Sequence, residues 1–384
     1  MDPRDLEVVV TSGRRTSRRQ FLGAAGAGAG ALLLAACGSS SSSSNTTTKA
    51  AGSRTALAKG GTLNLWTWPA YYAPSNLKAF QARTGTHLNI ATYDSNDTAF
   101  AKLNTAGGTS FDIVVPTSDF VPVMASHNLL AKLDHSRIPF RYIDPKLLGK
   151  VFDPHNEYSI PKDYGTIGVI YDPAVVKHPI AHWQDFLDAG YKPGITGKVE
   201  LPDVPDETLG IALWAEGKDW NTDNLAELRH AADVMKAFAK NVKAFNEFDV
   251  SGVTSGAVVM AIVTQGTARL MMLQKKSLKF VIPEPQSELW VDNYCITANA
   301  PDVNQAYSFI YYMLQPAHQL KDCAYIGYPT ALPDLQKKLP ANVPLRSEIF
   351  ISPSDFARLV PHVIHPAIQG EVENLYSQIQ AAAA

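Results

Sequence analysis

Short apolar runs alternate with amphipathic runs from residue 61 onward. TLNLWTW (62–68), HLNIATY (87–93) and FDIVVPTS (111–118) are typical of strands, and the last is apolar on both faces, as in a buried parallel strand. The intervening runs SNLKAFQARTG (75–85) and NDTAFAKLNTAGG (96–108) predict helices, the first beginning near Ser75 or Asn76 and the second near Asn96 or Asp97. This alternation indicates an α/β fold.

A second set of strands and helices begins at KVELPD (198–203), which predicts a strand. Residues 223–245 carry apolar side chains at helical spacing and predict one long amphipathic helix. GAVVMAIV (256–263) and LKFVIP (278–283) predict further strands, and residues 301–320 predict another long helix. The chain from about Gly60 to Ala384 is therefore long enough for two domains.

The N-terminus predicts export. Ser17-Arg18-Arg19-Gln20-Phe21-Leu22 is a twin-arginine signature, and Leu34-Ala35-Ala36-Cys37 matches a lipoprotein signal-peptidase site. We expect residues 1–36 to be removed as a signal peptide, leaving Cys37 lipidated at the outer face of the cytoplasmic membrane. The alternative is an uncleaved membrane helix, but the apolar run is short and glycine-rich compared with the roughly 20 residues that a span needs. Residues 37–59 are low in complexity and predict a flexible tether.

Composition excludes several functions. The formal net charge is −2 and the basic residues are scattered, which excludes a nucleic-acid-binding surface. Besides Cys37 only Cys295 and Cys323 occur, so a disulfide scaffold is excluded, and the two cysteines form either one disulfide or two free thiols. The chain has no GxSxG, HExxH, P-loop or CxxC motif. His362 and His365 in HVIH have a spacing seen in metal sites, but ten histidines produce such spacings by chance.

Aromatic and acidic residues recur where predicted strands end. In ELWVDNYC (288–295), strand alternation puts Trp290, Asp292 and Tyr294 on one face. Other such residues are Trp68, Tyr71, Asp203, Asp206, Glu207 and Tyr328. Each taken alone could pack in the core or face a helix dipole. Together, at the carboxyl ends of strands, they predict one cleft that suits a cation with an apolar body, such as a linear polyamine.

Five stretches carry a resemblance to a known family: ATYDSNDTAFAKLN, FDIVVPTSDFV, VFDPHNEYSIP, LWVDNYCITANA and IGYPT. From about Gly61 to Leu339 the chain resembles the spermidine/putrescine-binding proteins of bacterial ABC importers. The resemblance implies a two-lobed, type II periplasmic-binding-protein fold whose lobes are joined by hinge strands, with the ligand in the interlobe cleft. We expect residues 61–165 plus 291–337 to form lobe 1, and residues 166–290 plus 338–384 to form lobe 2.

The resemblance also implies the ligand-binding positions. Trp68, Tyr71 and Tyr328 correspond to aromatic walls, Trp290 to a central stacking residue, and Asp292 to the carboxylate that meets an ammonium group. Thr117 falls where the family has a small hydroxyl. For the acidic pair of lobe 2, Asp203 and Glu207 are the expected residues and Asp206 is the competitor, because PDVPDE is one residue longer than the corresponding family segment.

Three further binding positions depart from the family pattern. Asp119 stands where the family often has an aromatic residue, and Thr264 stands where it commonly has tryptophan. Tyr164 replaces another aromatic residue conservatively. Loss of a tryptophan wall and gain of a carboxylate imply a wider and more acidic pocket, which leaves the preferred amine open.

The predicted function is that of an exported lipoprotein receptor, anchored through Cys37, which captures spermidine or putrescine and delivers it to ABC permease subunits. No catalysis, metal or cofactor is predicted. One alternative is a receptor for another small cation or amino compound, which Asp119 and Thr264 favour. The other is an exported carbohydrate-active hydrolase that uses two of Asp203, Glu207 and Asp292 as acid and base.

Overall fold

The computed structural model describes residues 57–105, 110–246 and 248–383. The predicted signal peptide and Cys37 lie outside these residues. Residues 57–59, predicted as the end of the tether, already contact the fold, since the Ala58 amide donates to Ser308 Oγ at 3.0 Å. No helix in the described ranges is long and apolar enough to cross a bilayer.

The strands and helices follow one another along the chain as the alternation predicts. The strands are β1 (Thr62–Thr67), β2 (His87–Thr92), β3 (Ile113–Val114), β4 (Ile160–Gly165), β5 (Ile167–Tyr171), β6 (Val199–Leu201), β7 (Val242–Phe245), β8 (Met260–Thr264), β9 (Lys279–Val281), β10 (Ser287–Glu288), β11 (Trp290–Ile296) and β12 (Leu359–Val360). The helices are α1 (Pro74–Thr84), α2 (Asn96–Leu103), α3 (Phe120–Ser126), α4 (Trp183–Gly190), α5 (Pro205–Ala215), α6 (Leu225–Ala239), α7 (Val250–Ser255), α8 (Gln265–Gln274), α9 (Val303–Met313), α10 (Pro316–Ile326), α11 (Leu335–Lys338), α12 (Pro353–Phe356) and α13 (Gln369–Ala383).

Two five-stranded sheets form the cores of two lobes. The lobe 1 sheet has the order β2-β1-β3-β11-β4, and the lobe 2 sheet has the order β7-β6-β8-β5-β9. In lobe 1, Phe80 of α1 and Phe309 of α9 meet edge to face at 5.2 Å inside a core that includes Leu63 and Leu65. In lobe 2, Trp183 stacks on Trp214 at 4.9 Å.

The chain crosses between the lobes at neighbouring points. Only Thr166 separates β4, at the edge of the first sheet, from β5 in the second. Only Leu289 separates β10 from β11, and β10 pairs with β12 in a small two-stranded sheet. These short connections bring the ends of both sheets to one place. The exact lobe boundaries given above remain a prediction.

Several local predictions were wrong, and each has a physical reason. Residues 223–245 contain α6 followed by strand β7, which pairs in parallel with β6. Residues 301–320 contain parts of two helices, because Pro316 cannot continue the first and instead begins the second. Helix α2 begins at Asn96, one of the two predicted starts, and its cap is Ser95, whose hydroxyl accepts from the Thr98 amide.

Helix α1 begins at Pro74, one residue before the predicted start at Ser75 or Asn76, and Ala73 occupies the cap position. Gly85 ends this helix as predicted, in the left-handed conformation with φ 72°. Strand β3 spans only two residues, yet it is central, parallel to β1 and antiparallel to β11. Cys295 and Cys323 are both buried free thiols.

Candidate functional site

Asp292 lies at the centre of a buried cluster of hydrogen bonds where β11 meets β4. The residue is 5 % exposed. Thr117 Oγ1 donates to Asp292 Oδ1 at 2.7 Å, and the Tyr71 hydroxyl contacts Asp292 Oδ2. Thr117 is held in place because its amide donates to Asn96 Oδ1 at 3.0 Å and because it bridges to Asp292 in antiparallel fashion. The fold therefore brings the side chains of Tyr71, Thr117 and Asp292 into contact.

A second carboxylate, Asp163, lies beside Asp292 and was not predicted. Asp163 is opposite Asp292 in the β4–β11 ladder, and its Oδ1 is 2.6 Å from the Tyr71 hydroxyl. A tyrosine hydroxyl has one hydrogen to donate, so it cannot satisfy two ionised carboxylates at once. A proton on one carboxyl would relieve this conflict.

Lys162 supplies a buried positive charge next to these carboxylates. Its Nζ is 2.6 Å from Asp163 Oδ2 and 3.7 Å from the centre of the Tyr71 ring, and its side chain is 3 % exposed. Adjacent residues of a regular strand point to opposite faces. The register of β4 and β11 shifts here, leaving Lys162 as an extra residue opposite the Asp292–Asn293 step, so a bulge turns it towards Asp163.

The charges do not balance within this group, since one ammonium faces the two carboxylates Asp163 and Asp292. Burial, followed by the charge of Asp163, raises the pKa of Asp292 to about 7, although hydrogen bonds from Tyr71 and Thr117 and the charge of Lys162 oppose the rise. Asp292 is consequently a carboxyl that favours a proton or an additional cation near neutral pH.

Trp290 and Tyr328 form an aromatic corner beside Asp292. Trp290 shares the strand face of Asp292, and its ring meets that of Tyr328 edge to face at 4.9 Å. Gly165 and Gly266 make room for the two rings, because a Cβ atom at either position would lie 2.2 or 2.3 Å from Trp290 or Tyr328, respectively. Thr264 Oγ1 is hydrogen-bonded to the Tyr328 hydroxyl at 2.7 Å, so this predicted residue belongs to the same corner.

Trp68 and Tyr164, two further predicted binding residues, do not contact Asp292 directly. The Trp68 ring meets the Tyr93 ring edge to face at 4.7 Å. Tyr93 is in turn near Asp292, because burial first and then the charge of Asp292 raise the pKa of Tyr93. Trp68 thus lies one side chain away from the Asp292 group. Tyr164 pairs with Val291, on the opposite face of β4 from Asp163, and packs against Phe356. The structure therefore does not bring Tyr164 to the Asp292 face.

The acidic residues of lobe 2 are arranged differently from the expected pair. Asp203 precedes α5 and accepts from Tyr376 Oη at 2.7 Å and from Gln380 Nε2 at 3.2 Å, so it is engaged by α13. Asp206 and Glu207 both lie in the first turn of α5, which begins at Pro205. Burial and, to a smaller extent, the charge of Asp119 in lobe 1 raise the pKa of Asp206, the competitor in the sequence, although His362 opposes the rise.

The residue that connects Asp206 to lobe 1 is His362, which was not predicted as part of the site. Its Nδ1 is 3.7 Å from Asp119 Oδ2, and its Nε2 is 3.5 Å from Asp206 Oδ1. Asp119 caps α3, two residues after Thr117. The other histidine of HVIH, His365, instead contacts the Asn221 carbonyl at 2.8 Å. Within the described ranges, no three His, Cys, Asp or Glu side chains are grouped to hold a metal ion.

Comparisons with known proteins agree with this two-lobed architecture. A family model described as bacterial extracellular solute-binding protein matches residues 76–345. The chain is 32% identical over 295 residues to spermidine/putrescine-binding periplasmic protein 1 of Haemophilus influenzae, covering 76% of this chain and 81% of that protein. It is 29% identical over 333 residues to a putrescine/agmatine-binding protein of Pseudomonas aeruginosa, covering 81% and 89% of the two chains.

A solved structure supports the fold. The substrate-binding protein of a spermidine/putrescine ABC transporter from Streptococcus pneumoniae superposes with a TM-score of 0.75 at 27% identity, covering 84% of this chain and 100% of that chain. The predicted fold class is confirmed. The two relatives are binding proteins for spermidine, putrescine or agmatine, and the solved structure is the substrate-binding protein of an ABC transporter.

Proposed function

The chain belongs to the bacterial extracellular solute-binding protein family, and on that premise we propose that it captures a polyamine outside the cytoplasm and delivers it to an ABC transporter permease. The observation that carries the proposal is the buried Asp292 carboxyl, which lies beside Asp163, while a single ammonium, that of Lys162, balances the two within the part of the chain that the structure describes. An ammonium group of the ligand supplies the missing charge and allows Asp292 to ionise.

The aromatic corner accounts for the apolar part of such a ligand. Trp290 and Tyr328 offer ring faces that attract an ammonium group, and the same rings cover methylene groups. Thr264 adds a hydroxyl to this corner. A linear diamine or triamine has this alternation of charged and apolar groups, and its amines stay protonated near neutral pH.

The anchoring and export route complete the proposal. Twin-arginine export, cleavage before Cys37 and lipidation of that cysteine would hold the receptor at the outer face of the cytoplasmic membrane, next to its permease. Ligand would bridge the two lobes and shift the equilibrium between open and closed forms towards the closed form.

A thermal-shift screen tests the proposal. The panel contains putrescine, spermidine, agmatine, monoamines, amino acids and oligosaccharides. Because a ligand that binds only the folded state stabilises it by mass action, we expect the di- and triamines to raise the melting temperature in a concentration-dependent way. Stabilisation by an amino acid or an oligosaccharide, with none by any polyamine, would replace this proposal by another receptor function or by the hydrolase alternative.

A further inference from the structure

His362 is placed beside the chain crossing between the lobes. Strand β12, which ends two residues before His362, pairs with β10, and the Leu289 amide donates to the Val360 carbonyl at 3.0 Å. The His362 side chain is 8 % exposed, and its ring lies 4.7 Å from that of Trp220. Packing therefore fixes the position of the His362 side chain, which is not an exposed surface residue.

Both ring nitrogens of His362 face carboxylates, and the two carboxylates belong to different lobes. Asp119 follows strand β3 of the first sheet, and Asp206 follows strand β6 of the second. A neutral imidazole has one N–H and would turn a lone pair towards one carboxylate, whereas an imidazolium donates to both. The geometry fits the protonated ring, which then acts as a cation between the lobes.

The surroundings of His362 hold more negative than positive charge. Burial lowers the pKa of His362, but the neighbouring carboxylates of Asp119, Asp206 and Glu288 outweigh that effect and raise the pKa above its ordinary value. Beyond these groups, Asp97 of α2 and Glu373 of α13 add further negative charge, and Asp97 has a raised pKa through burial and through Asp119, Glu373 and Asp206. One imidazolium therefore does not neutralise the carboxylates that surround Asp119 and Asp206.

We propose that protonated His362 is a specificity-determining residue that occupies the Asp119–Asp206 end of the cleft as a built-in cation and competes there with an ammonium group of the ligand. This inference rests on the proposed polyamine-binding function. When the ligand ammonium enters between Asp119 and Asp206, the His362 ring releases its proton to solvent and becomes neutral. The number of positive charges facing the two carboxylates is then unchanged. A ligand with a cation at one end only leaves His362 protonated in place, so the preference for a diamine over a monoamine should grow as rising pH removes the His362 proton.

Histidine NMR combined with calorimetry tests this exchange. The Cε1–H signal of His362 is assigned by its loss in His362→Gln and followed through a pH titration. Without putrescine we expect a midpoint above the ordinary value of about 6.5, lowered by at least half a pH unit in Asp119→Asn. With saturating putrescine at pH 6.5, the signal is expected to move to the neutral position.

Calorimetry in buffers of different ionisation enthalpy then counts the protons released on putrescine binding. We expect the unmodified protein to release up to one proton more than His362→Gln, and because both retain Asp292, its protons cancel in the comparison. Putrescine binding with His362 still protonated, or an unchanged midpoint in Asp119→Asn, would overturn the inference. Absence of putrescine binding to both proteins would instead be the failure of the proposed function, and this inference would fall with it.

Discussion

Replacement of Asp292 by asparagine is expected to weaken putrescine binding at pH 8 by about thirtyfold or more, corresponding to roughly 2 kcal/mol. The ammonium would lose its charged partner, and only one of Tyr71 and Thr117 could still donate to the side-chain oxygen, because the amide has one oxygen where the carboxylate has two. The fold should tolerate the change, because asparagine resembles the neutral carboxyl that burial and Asp163 already favour at this position. Isothermal titration calorimetry measures the affinity, and thermal melting checks the fold.

Asp223→Asn is the matched control, since it makes the same chemical change at an exposed position just before α6. Its affinity for putrescine should equal that of the unmodified protein. Equal affinities for Asp292→Asn and Asp223→Asn would remove Asp292 from the binding site.

The same carboxyl sets the direction of the pH dependence. Asp292 has a pKa raised to about 7, and cation binding requires its ionised form, so affinity should fall as the pH drops below about 7. The limiting slope for one such group is a tenfold loss per pH unit. Asp292→Asn should remove this contribution, and the remaining slope should then depend on His362.

Replacement of Lys162 by methionine is expected to lower the free energy of unfolding by about 3–5 kcal/mol, because it leaves Asp163 buried without its cation. Asp163 is fully buried, so water cannot take the place of the ammonium group. The double variant Lys162→Met, Asp163→Asn should recover most of the loss. Urea denaturation monitored by circular dichroism measures all three proteins.

Lys132→Met is the control for a lost ion pair at the surface. Lys132 and Glu157 are 3.2 Å apart, with side chains that are 68% and 46% exposed, so their separation should change the urea midpoint very little. A midpoint for Lys162→Met as high as that of Lys132→Met would show that the buried pair does not stabilise lobe 1.

Much of the Asp292 group could be predicted from the sequence because strand alternation and strand ends are local signals. Trp290 and Asp292 are two residues apart in a strand, and Tyr71 follows the end of strand β1. The family resemblance added Thr117 and Thr264, whose contacts with Asp292 and Tyr328 depend on the folded lobes. Their roles in binding remain predictions that the variants above can test.

Lys162 and Asp163 were missed because regular alternation would place them on opposite faces. The bulge that brings them together follows from the register of β4 against β11, two strands that are far apart in the chain. The one available signal was an adjacent Lys–Asp pair inside an otherwise apolar strand, IPKDYG.

His362 was missed for a similar reason, since its partners come from two distant segments. Its spacing to His365 directed attention to metal binding, although the two side chains have unrelated contacts. The choice between Asp203 and Asp206 likewise depended on where α5 begins. Pro205 at the start of that helix places Asp206 in the first turn. Asp203 lies before the helix and accepts a hydrogen bond from Tyr376 of α13.

The most direct test of the central claim is a crystal structure of the protein grown with putrescine. We expect one ammonium group within about 3 Å of the Asp292 carboxylate, with the methylene chain against Trp290 and Tyr328. The second ammonium should lie between the lobes near Asp119 and Asp206. Putrescine bound elsewhere, with Asp292 contacted only by Tyr71 and Thr117, would contradict the account.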